Sequence, residues 1–446
     1  MKGMFLGFLL FLAQSLALAD GPVPTIGKDL RLYVDGKPFF IRGMAYAPEP
    51  RGFPGNKLTS SSGPWPYSKG AWLCKAANQY DPGDWQSPCA DDDFFGLLTE
   101  NTQANRDYNA ALRELWGRDL KTMQAMGVNT LRIYNANQPR FKNHLPFLNA
   151  VQASGMHVIW PVLTDHLARK QFDESIIENM VKETCPGGSP HPALLAYTAG
   201  NELTPLSNDT DKFRIRRSIE IVRKLCPTAL VTYAHNDVPP QWTLQPNPQN
   251  GSSALMEAFP ALDFLTVNVY RNNPNTGGVE GYDQLFRYDI SNLTNKYQKP
   301  VLIGEVGEHQ NDQYESTWFN RTWKFILQNS VNAKNLGVVY FEFNDEPVKK
   351  QKSGTSNDAY MGIATSAWPP TTNMEAVTEP AVIMKNMAYS GIQAFNNGSD
   401  HIDFPGSAKG AGRYDMFVNT AQGIQACSFK ASPDPASINP SCLNAR

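Results

Sequence analysis

A chain of 446 residues with a net charge of −2 lacks the basic balance that nucleic-acid binding usually demands. Its length suits one barrel domain of about 250 residues or more with loop insertions. An aromatic content of 11% fits sugar-stacking surfaces as readily as ordinary cores.

In chain order, Met1 to Ala19 read as a signal peptide. Lys2 supplies the positive end, Met4 to Leu12 the apolar core and Ala17-Leu18-Ala19 the cleavage site. The apolar stretch is short for a membrane span. Arg31 to Phe39 predicts a hairpin turning at Asp35-Gly36 and capping the closed end of a barrel. Phe40 to Ala47 is the first strand. A segment rich in Gly, Pro, Ser and Trp follows, from Pro48 to about Asp107, and is expected as a loop insertion forming a substrate wall.

Strands and helices then alternate. Helix Ala110–Met126 ends at Gly127, ahead of strand two, Val128–Asn135. Helix Asn143–Ser154 leads to strand three, His157–Leu163, and helix Asp173–Thr184 to strand four, Leu194–Glu202. Helix Asp211–Leu225 stops at Pro227. Strand five is Leu230–His235 and strand six Phe264–Tyr270. Helix Tyr282–Tyr297 precedes strand seven, Val301–Glu305, and helix Ser316–Asn329 precedes strand eight, Gly337–Asn344. Eight β-like runs separated mostly by helices predict an α/β protein of the (β/α)8 TIM-barrel class over residues 20–350. A doubly wound open sheet would want a Gly-rich phosphate loop after strand one, and Gly43-Met-Ala-Tyr46 is not one. Residues 351–446 are expected as an irregular C-terminal extension packed on the barrel, with a helix near Glu379–Phe395.

Six cysteines fit an oxidising compartment and fall as near pairs, Cys74/Cys89, Cys185/Cys226 and Cys427/Cys442, although the pairing is open. Cys185-Pro186 and Cys226-Pro227 each close a helix, which places both at the barrel bottom. Asn-x-Ser/Thr sequons start at Asn208, Asn250, Asn292, Asn320 and Asn397. No apolar tail ends the chain, so no lipid-linked C-terminus is expected.

Glu202 and Glu305 end strands four and seven. A carboxyl pair at the C-terminal strand ends of a barrel is the machinery of glycoside hydrolysis. Glu308, Glu342 and Glu346 compete with Glu305, but Glu305 closes its strand and shares parity with Ile303. Side chains alternate along a strand. That parity groups Arg42 with Tyr46, Arg132 with Tyr134, Tyr233 with His235, Thr266 with Asn268 and Tyr270, and Tyr340 with Glu342 and Asn344. Asn201 and Glu202 are adjacent, so both reach one site only if the strand breaks or bulges. The expected substrate-binding residues are Tyr46, Arg132, Tyr134, Asn201, His235, Tyr270 and Glu342. Trp65, Trp72 and Trp85 are candidate sugar-stacking faces.

These residues carry a resemblance. Gly200-Asn201-Glu202 with a Glu on strand seven resembles the clan of retaining (β/α)8 glycosidases. Phe39 to Tyr46, Met126 to Tyr134, Ala199 to Glu202 and Val267 to Tyr270 are similar to glycoside hydrolase family 72, the β-1,3-glucanosyltransferases of fungal walls. Phe341 to Pro347 with Lys349 resembles family 17, the β-1,3-glucanases. Family 72 has Ser-Glu-Tyr-Gly at its nucleophile, where this chain has Gly304-Glu305-Val306-Gly307. The resemblance implies a secreted or cell-wall enzyme acting by double displacement on β-glucan, with carboxyls about 5–5.5 Å apart. It implies Glu202 as acid/base, kept protonated near neutrality by partial burial and the charge of Glu305. Glu305 is then the nucleophile, held ionised by Arg132 and the Tyr270 hydroxyl, and Asn201 bonds the sugar 2-OH. Hydrolysis and transfer both stay open, as do a β-mannanase or cellulase-like activity and a non-catalytic carbohydrate-binding wall protein. The partner expected is a polysaccharide or oligosaccharide, acted on by a monomer without cofactor, metal, nucleic acid or stable membrane insertion.

Overall fold

The computed structural model describes residues 23–48, 93–101, 103–136, 142–164, 167–168, 172–237, 252–271, 280–307 and 335–343, together with 323, 325–326 and 329–330. The expected signal peptide, the three insertion tryptophans, Cys74, Cys89, Glu308, Asn344, Glu346, most of the helix expected over Ser316–Asn329 and the whole C-terminal extension lie outside these residues.

Thirteen strands are described: β1 Thr25–Ile26, β2 Leu32–Val34, β3 Lys37–Phe39, β4 Ile41–Ala45, β5 Leu97–Leu98, β6 Thr130–Arg132, β7 Lys142–Asn143, β8 His157–Pro161, β9 Leu194–Asn201, β10 Leu230–Asn236, β11 Phe264–Asn268, β12 Val301–Val306 and β13 Asn335–Tyr340. The helices are α1 Gln103–Ala125, α2 Leu145–Ala153, α3 Glu174–Thr184, α4 Asp209–Leu225, α5 Ser252–Ala258, α6 Glu280–Gln284 and α7 Ile290–Tyr297. Eight strands close a parallel barrel in the order β4, β6, β8, β9, β10, β11, β12, β13, and β13 pairs back onto β4 with Val338 opposite Arg42. The fold is the expected (β/α)8 barrel.

Alternation, interrupted at Leu195 of β9 where the register shifts, sorts the strand residues between two cores. Ile41, Ala45, Ile159, Ala196, Leu230, Phe264, Leu302 and Val339 point inward and form one apolar cluster. Met44, Leu131, Trp160, Tyr197, Val267, Ile303 and Tyr340 point outward and pack under the helices. The hairpin of β2 and β3 turns at Asp35 and Gly36, with φ of 55° and 69°, as two-residue hairpins require. It inserts Leu32 and Val34 into the inner cluster and plugs the N-terminal end. Asp173 caps α3 by accepting from the Ser175 amide, and Asn208 caps α4 through Thr210 and Asp211. Cys185 and Cys226 follow the last turns of these helices and form a disulfide at the closed end, the middle of the three expected pairs.

Three elements depart from expectation. Helix α1 begins at Gln103, inside the segment read as insertion, and Phe94, Phe95 and Leu97 ahead of it are buried in the outer core. Helix α5, between strands five and six, is short and was not anticipated. The single helix expected over Tyr282–Tyr297 is α6 and α7 joined by a π turn, Leu285–Asp289. No helix among the described residues is long and apolar enough to cross a membrane.

Candidate active site

Arg132, Asn201, Asn236 and Asn268 are each the last residue of their strand, so four polar side chains ring the C-terminal mouth. Glu202 and Glu305 join them by one device used twice. Along β9 and β10, Thr198 pairs with Thr232 but Asn201 pairs with Ala234, an extra residue on β9. Gly200 takes φ of 118° and Glu202 φ of 50°, a left-handed conformation that is uncommon for a residue with a side chain. Along β11 and β12, Val267 pairs with Ile303 but Asn268 pairs with Glu305, an extra residue at Gly304. A bulge turns the next side chain to the other face. Asn201 and Glu202 therefore both reach the mouth, and Glu305 points in although Ile303 points out. The shared parity expected for Ile303 and Glu305 is corrected by that bulge.

Arg132 organises the site. Its Nη1 donates to Glu305 Oε1 at 3.1 Å, Gly304 O at 2.7 Å and Asn268 Oδ1 at 2.9 Å, and its Nη2 to Asn201 Oδ1 at 2.7 Å. Glu305 also accepts from the Tyr134 hydroxyl at 2.9 Å and the Tyr270 hydroxyl at 3.0 Å. Burial and then, among others, the Glu305 charge push both phenols well above their ordinary pKa, so they remain donors across the working pH range. Burial works against the Arg132 charge, but Tyr134, Glu305, Glu202 and Tyr270 outweigh it and raise its pKa. Gly304 is required beneath this guanidinium, because a Cβ there would lie 2.9 Å from Arg132 Nη1 and would run into Thr266 Cγ2.

Glu202 is bound differently. Asn268 Nδ2 donates to its Oε1 at 2.7 Å and to Asn201 Oδ1 at 3.2 Å. Asn236, with its amide nitrogen toward the carboxyl, donates to Glu202 Oε1 and, at 3.2 Å, to Oε2. Asn268 thus connects Glu202 to Arg132 and, through Arg132, to Glu305.

The structure gathers Arg132, Tyr134, Asn201, Glu202, Tyr270 and Glu305 as expected. Tyr270 places its hydroxyl on Glu305 while the residue stays 42% exposed at the mouth. Glu342 is fully buried, its charge raises the Tyr134 pKa, and the neighbouring Phe341 ring meets the Tyr134 ring edge-on at 6.0 Å. Tyr340, expected on the same face as Glu342, points outward against Trp323, as Val338 does, while Val339 between them joins the inner cluster.

Two expected residues lie elsewhere. Tyr46 is fully buried under α1, donates to Asp119 Oδ2 at 2.8 Å and packs on Phe95, Phe147 and Phe343. Arg42 and Tyr46 share the face of Met44, which is the outer one. His235 also points outward, its Nε2 2.9 Å from Ser252 Oγ at the start of α5, and burial lowers its pKa to about 4. Tyr233 is outward as well, donating to Leu203 O at 2.8 Å. The residue of that strand that meets Glu202 is Asn236, one position on, which sequence reasoning missed. Gly304 was missed too. The signal for it was a glycine directly preceding a strand-end glutamate, with Gly200 two positions ahead of the other.

No family model matches the chain. The 1,3-beta-glucanosyltransferase GAS4 of Saccharomyces cerevisiae is 23% identical over 433 residues, covering 89% of this chain and 78% of that protein. Among solved structures, Saccharomyces cerevisiae Gas2p in complex with laminaripentaose aligns with a TM-score of 0.45 at 17% identity, over 88% of this chain and 75% of that one. A beta-D-glucuronidase from Dictyoglomus thermophilum aligns with a TM-score of 0.46 at 15% identity, over 82% and 53%. By its motifs and its curated relative, the chain is similar to the β-1,3-glucanosyltransferases of glycoside hydrolase family 72.

Proposed function

We propose that this protein is a retaining enzyme of β-1,3-glucan, a glucanosyltransferase or glucanase, with Glu305 as nucleophile and Glu202 as general acid/base. The observation that carries this reading is the unequal treatment of the two carboxyls. Glu305 takes a guanidinium and two phenol donors, which fix both of its oxygens in place for attack. Glu202 takes amide donors, which bond its Oε1 whether or not Oε2 carries a proton.

In the first step Glu202 protonates the glycosidic oxygen as Glu305 attacks the anomeric carbon. The bonding electrons leave with the departing sugar, and a glycosyl ester of Glu305 remains. In the second step Glu202 takes a proton from water or from a sugar hydroxyl, and that oxygen displaces Glu305. Water gives hydrolysis and a sugar gives transfer. Asn201 has its carbonyl oxygen committed to Arg132 and Asn268, which leaves its amide nitrogen as the group for the sugar 2-OH. The β-1,3-glucan substrate is supported by the curated relative, a 1,3-beta-glucanosyltransferase. A secreted or cell-wall location is supported by the Cys185–Cys226 disulfide, since such bonds persist in oxidising compartments.

The test is mass spectrometry of products after incubation with laminari-, manno- and cello-oligosaccharides. Products longer than the starting laminari-oligosaccharide establish transfer, and only shorter ones establish hydrolysis. Unchanged laminari-oligosaccharides overturn the β-1,3-glucan reading.

A further inference from the structure

Behind the mouth, on the outer side of strands β10 and β11, lies a second charge cluster that the mechanism above does not use. Arg271 sits between Asp237 and Asp289. Its Nη2 donates to Asp237 Oδ1 at 3.0 Å, its Nε to Asp237 Oδ2, and its Nη1 pairs with Asp289 Oδ2 at 2.9 Å. The three side chains are 4%, 2% and 2% exposed. Nη1 also donates to Gly281 O at 2.8 Å, and a Cβ on Gly281 would stand 2.9 Å from Arg271 Cβ, so the backbone of α6 is shaped around this arginine.

The chain neighbours of this cluster matter most. Asp237 follows Asn236, and Arg271 follows Tyr270. The Asp237 amide donates to Asn268 O at 2.8 Å, and the Val269 amide to Glu305 O at 2.8 Å. The contacts of these four residues separate them: Asn236 and Tyr270 bond the two glutamates, Asp237 and Arg271 bond each other. The same backbone that sends Asp237 and Arg271 into the outer layer sends Asn236 toward Glu202 and Tyr270 toward Glu305. Each working side chain is one residue from a buried, bidentate arginine–carboxylate pair, whose geometry is strict.

We propose that Arg271 is a positioning residue: clamped by Asp237 and Asp289, it sets Asn236 on Glu202 and Tyr270 on Glu305 together. It touches no substrate atom. The proposal rests on the catalytic reading of the two glutamates. A displacement of about 1 Å at a reacting group can cost about 100-fold in rate, and loss of the fork loosens both donors by small distances.

The experiment is a double-mutant cycle on laminaripentaose turnover with Arg271→Lys, Tyr270→Phe and Asn236→Ala. Arg271→Lys is expected to lower kcat by about 10-fold or more with KM nearly unchanged. It is also expected to move the alkaline limb of the pH–rate profile, since Asn236 loses its hold on Glu202. In the Tyr270→Phe, Asn236→Ala background the same substitution is expected to cost less than about 3-fold, because the groups it positions are gone. An equal loss in both backgrounds, or a lowered Tm with unchanged kcat and pH profile, overturns the proposal. Should Arg271→Lys fail to fold, Asp289→Asn takes its place in the cycle under the same criteria. Glu305→Gln is the control. If it retains turnover, the catalytic reading falls and the proposal with it; if it is inactive, additivity overturns the proposal alone.

Discussion

The two ends of this barrel are built on opposite rules. At the N-terminal end Leu32 and Val34 close the barrel with an apolar plug in one cluster with Ile41, Leu230 and Phe264, and the register shifts there, at Leu195 of β9 and beside Gly337 of β13, carry no charge inward. At the C-terminal end the shifts at Gly200 and Gly304 deliver polar side chains instead, and the result is a connected network in which Arg132 is only 1% exposed. One end converts burial into stability. The other spends buried polar groups on aiming two carboxylates. Damage to the first should therefore appear in unfolding, and damage to the second in turnover.

The largest expected effect tests that division directly. Glu305→Gln keeps the shape of the site and is expected to lower kcat by at least about 10³-fold with a Tm close to the parent's. Steady-state kinetics beside thermal melting decide it, and near-normal turnover would remove Glu305 as nucleophile. Leu32→Ala is the mirror experiment. It empties part of the plug and is expected to cost about 3 kcal/mol of unfolding free energy with kcat unchanged, read by urea denaturation. Gly304→Ala lies between them. A methyl there crowds Thr266 and Arg132, and a loss of about 10–100-fold in kcat with a modest drop in Tm is expected. A stability loss without a rate loss would show that the bulge glycine serves packing alone.

A pH effect separates two kinds of buried charge. On the flank, His144 lies between Asp93 Oδ2 at 3.0 Å and Glu183 Oε2 at 2.8 Å. Burial opposes its charge, but the two carboxylates, Asp93 foremost, raise its pKa to about 10. Burial likewise opposes the Asp93 charge, and His144 and Lys142 override it to hold the carboxyl at about 2. A raised histidine stabilises fully below its unfolded value near 6.5, and that contribution fades as pH climbs through 10. A lowered aspartate stabilises fully above its unfolded value near 3.8, and that contribution fades as pH falls through 2. Stability should therefore be greatest between about pH 4 and 6.5 and decline on the order of 1 kcal/mol per pH unit above that. Thermal melts across pH should show this decline, and it should disappear in His144→Gln. The pH profile of turnover should instead change in Glu202→Gln.

Much of the barrel is legible in the sequence, because helix stops such as Gly127 and Pro227 and the closing hairpin at Asp35-Gly36 are local signals. The two strand-end glutamates are legible for the same reason. Facing is less so. In a parallel barrel both faces of every strand are buried, so polarity does not say which side is the inside. Tyr46 and His235 look like site residues because they share parity with other polar residues, yet their polar atoms are satisfied by Asp119 and Ser252 in the helix layer. Asn236, one residue beyond His235, carries no pattern that distinguishes it. The bulges are detectable only as a demand, that Asn201 and Glu202 serve one site, and their location needs the register of the neighbouring strand.

The paired bulges also bear on how such a site could arise. Glu202 and Glu305 stand where they do in the mouth because β9 and β12 each carry one residue more than the neighbouring ladder requires, at Gly200 and Gly304. Deleting Gly304 would set Glu305 directly after Ile303, still inward by alternation but in the space that Thr266 and Arg132 fill. A single deletion at Gly200 or Gly304 would therefore displace a carboxyl from its partners while leaving the sequence nearly unchanged.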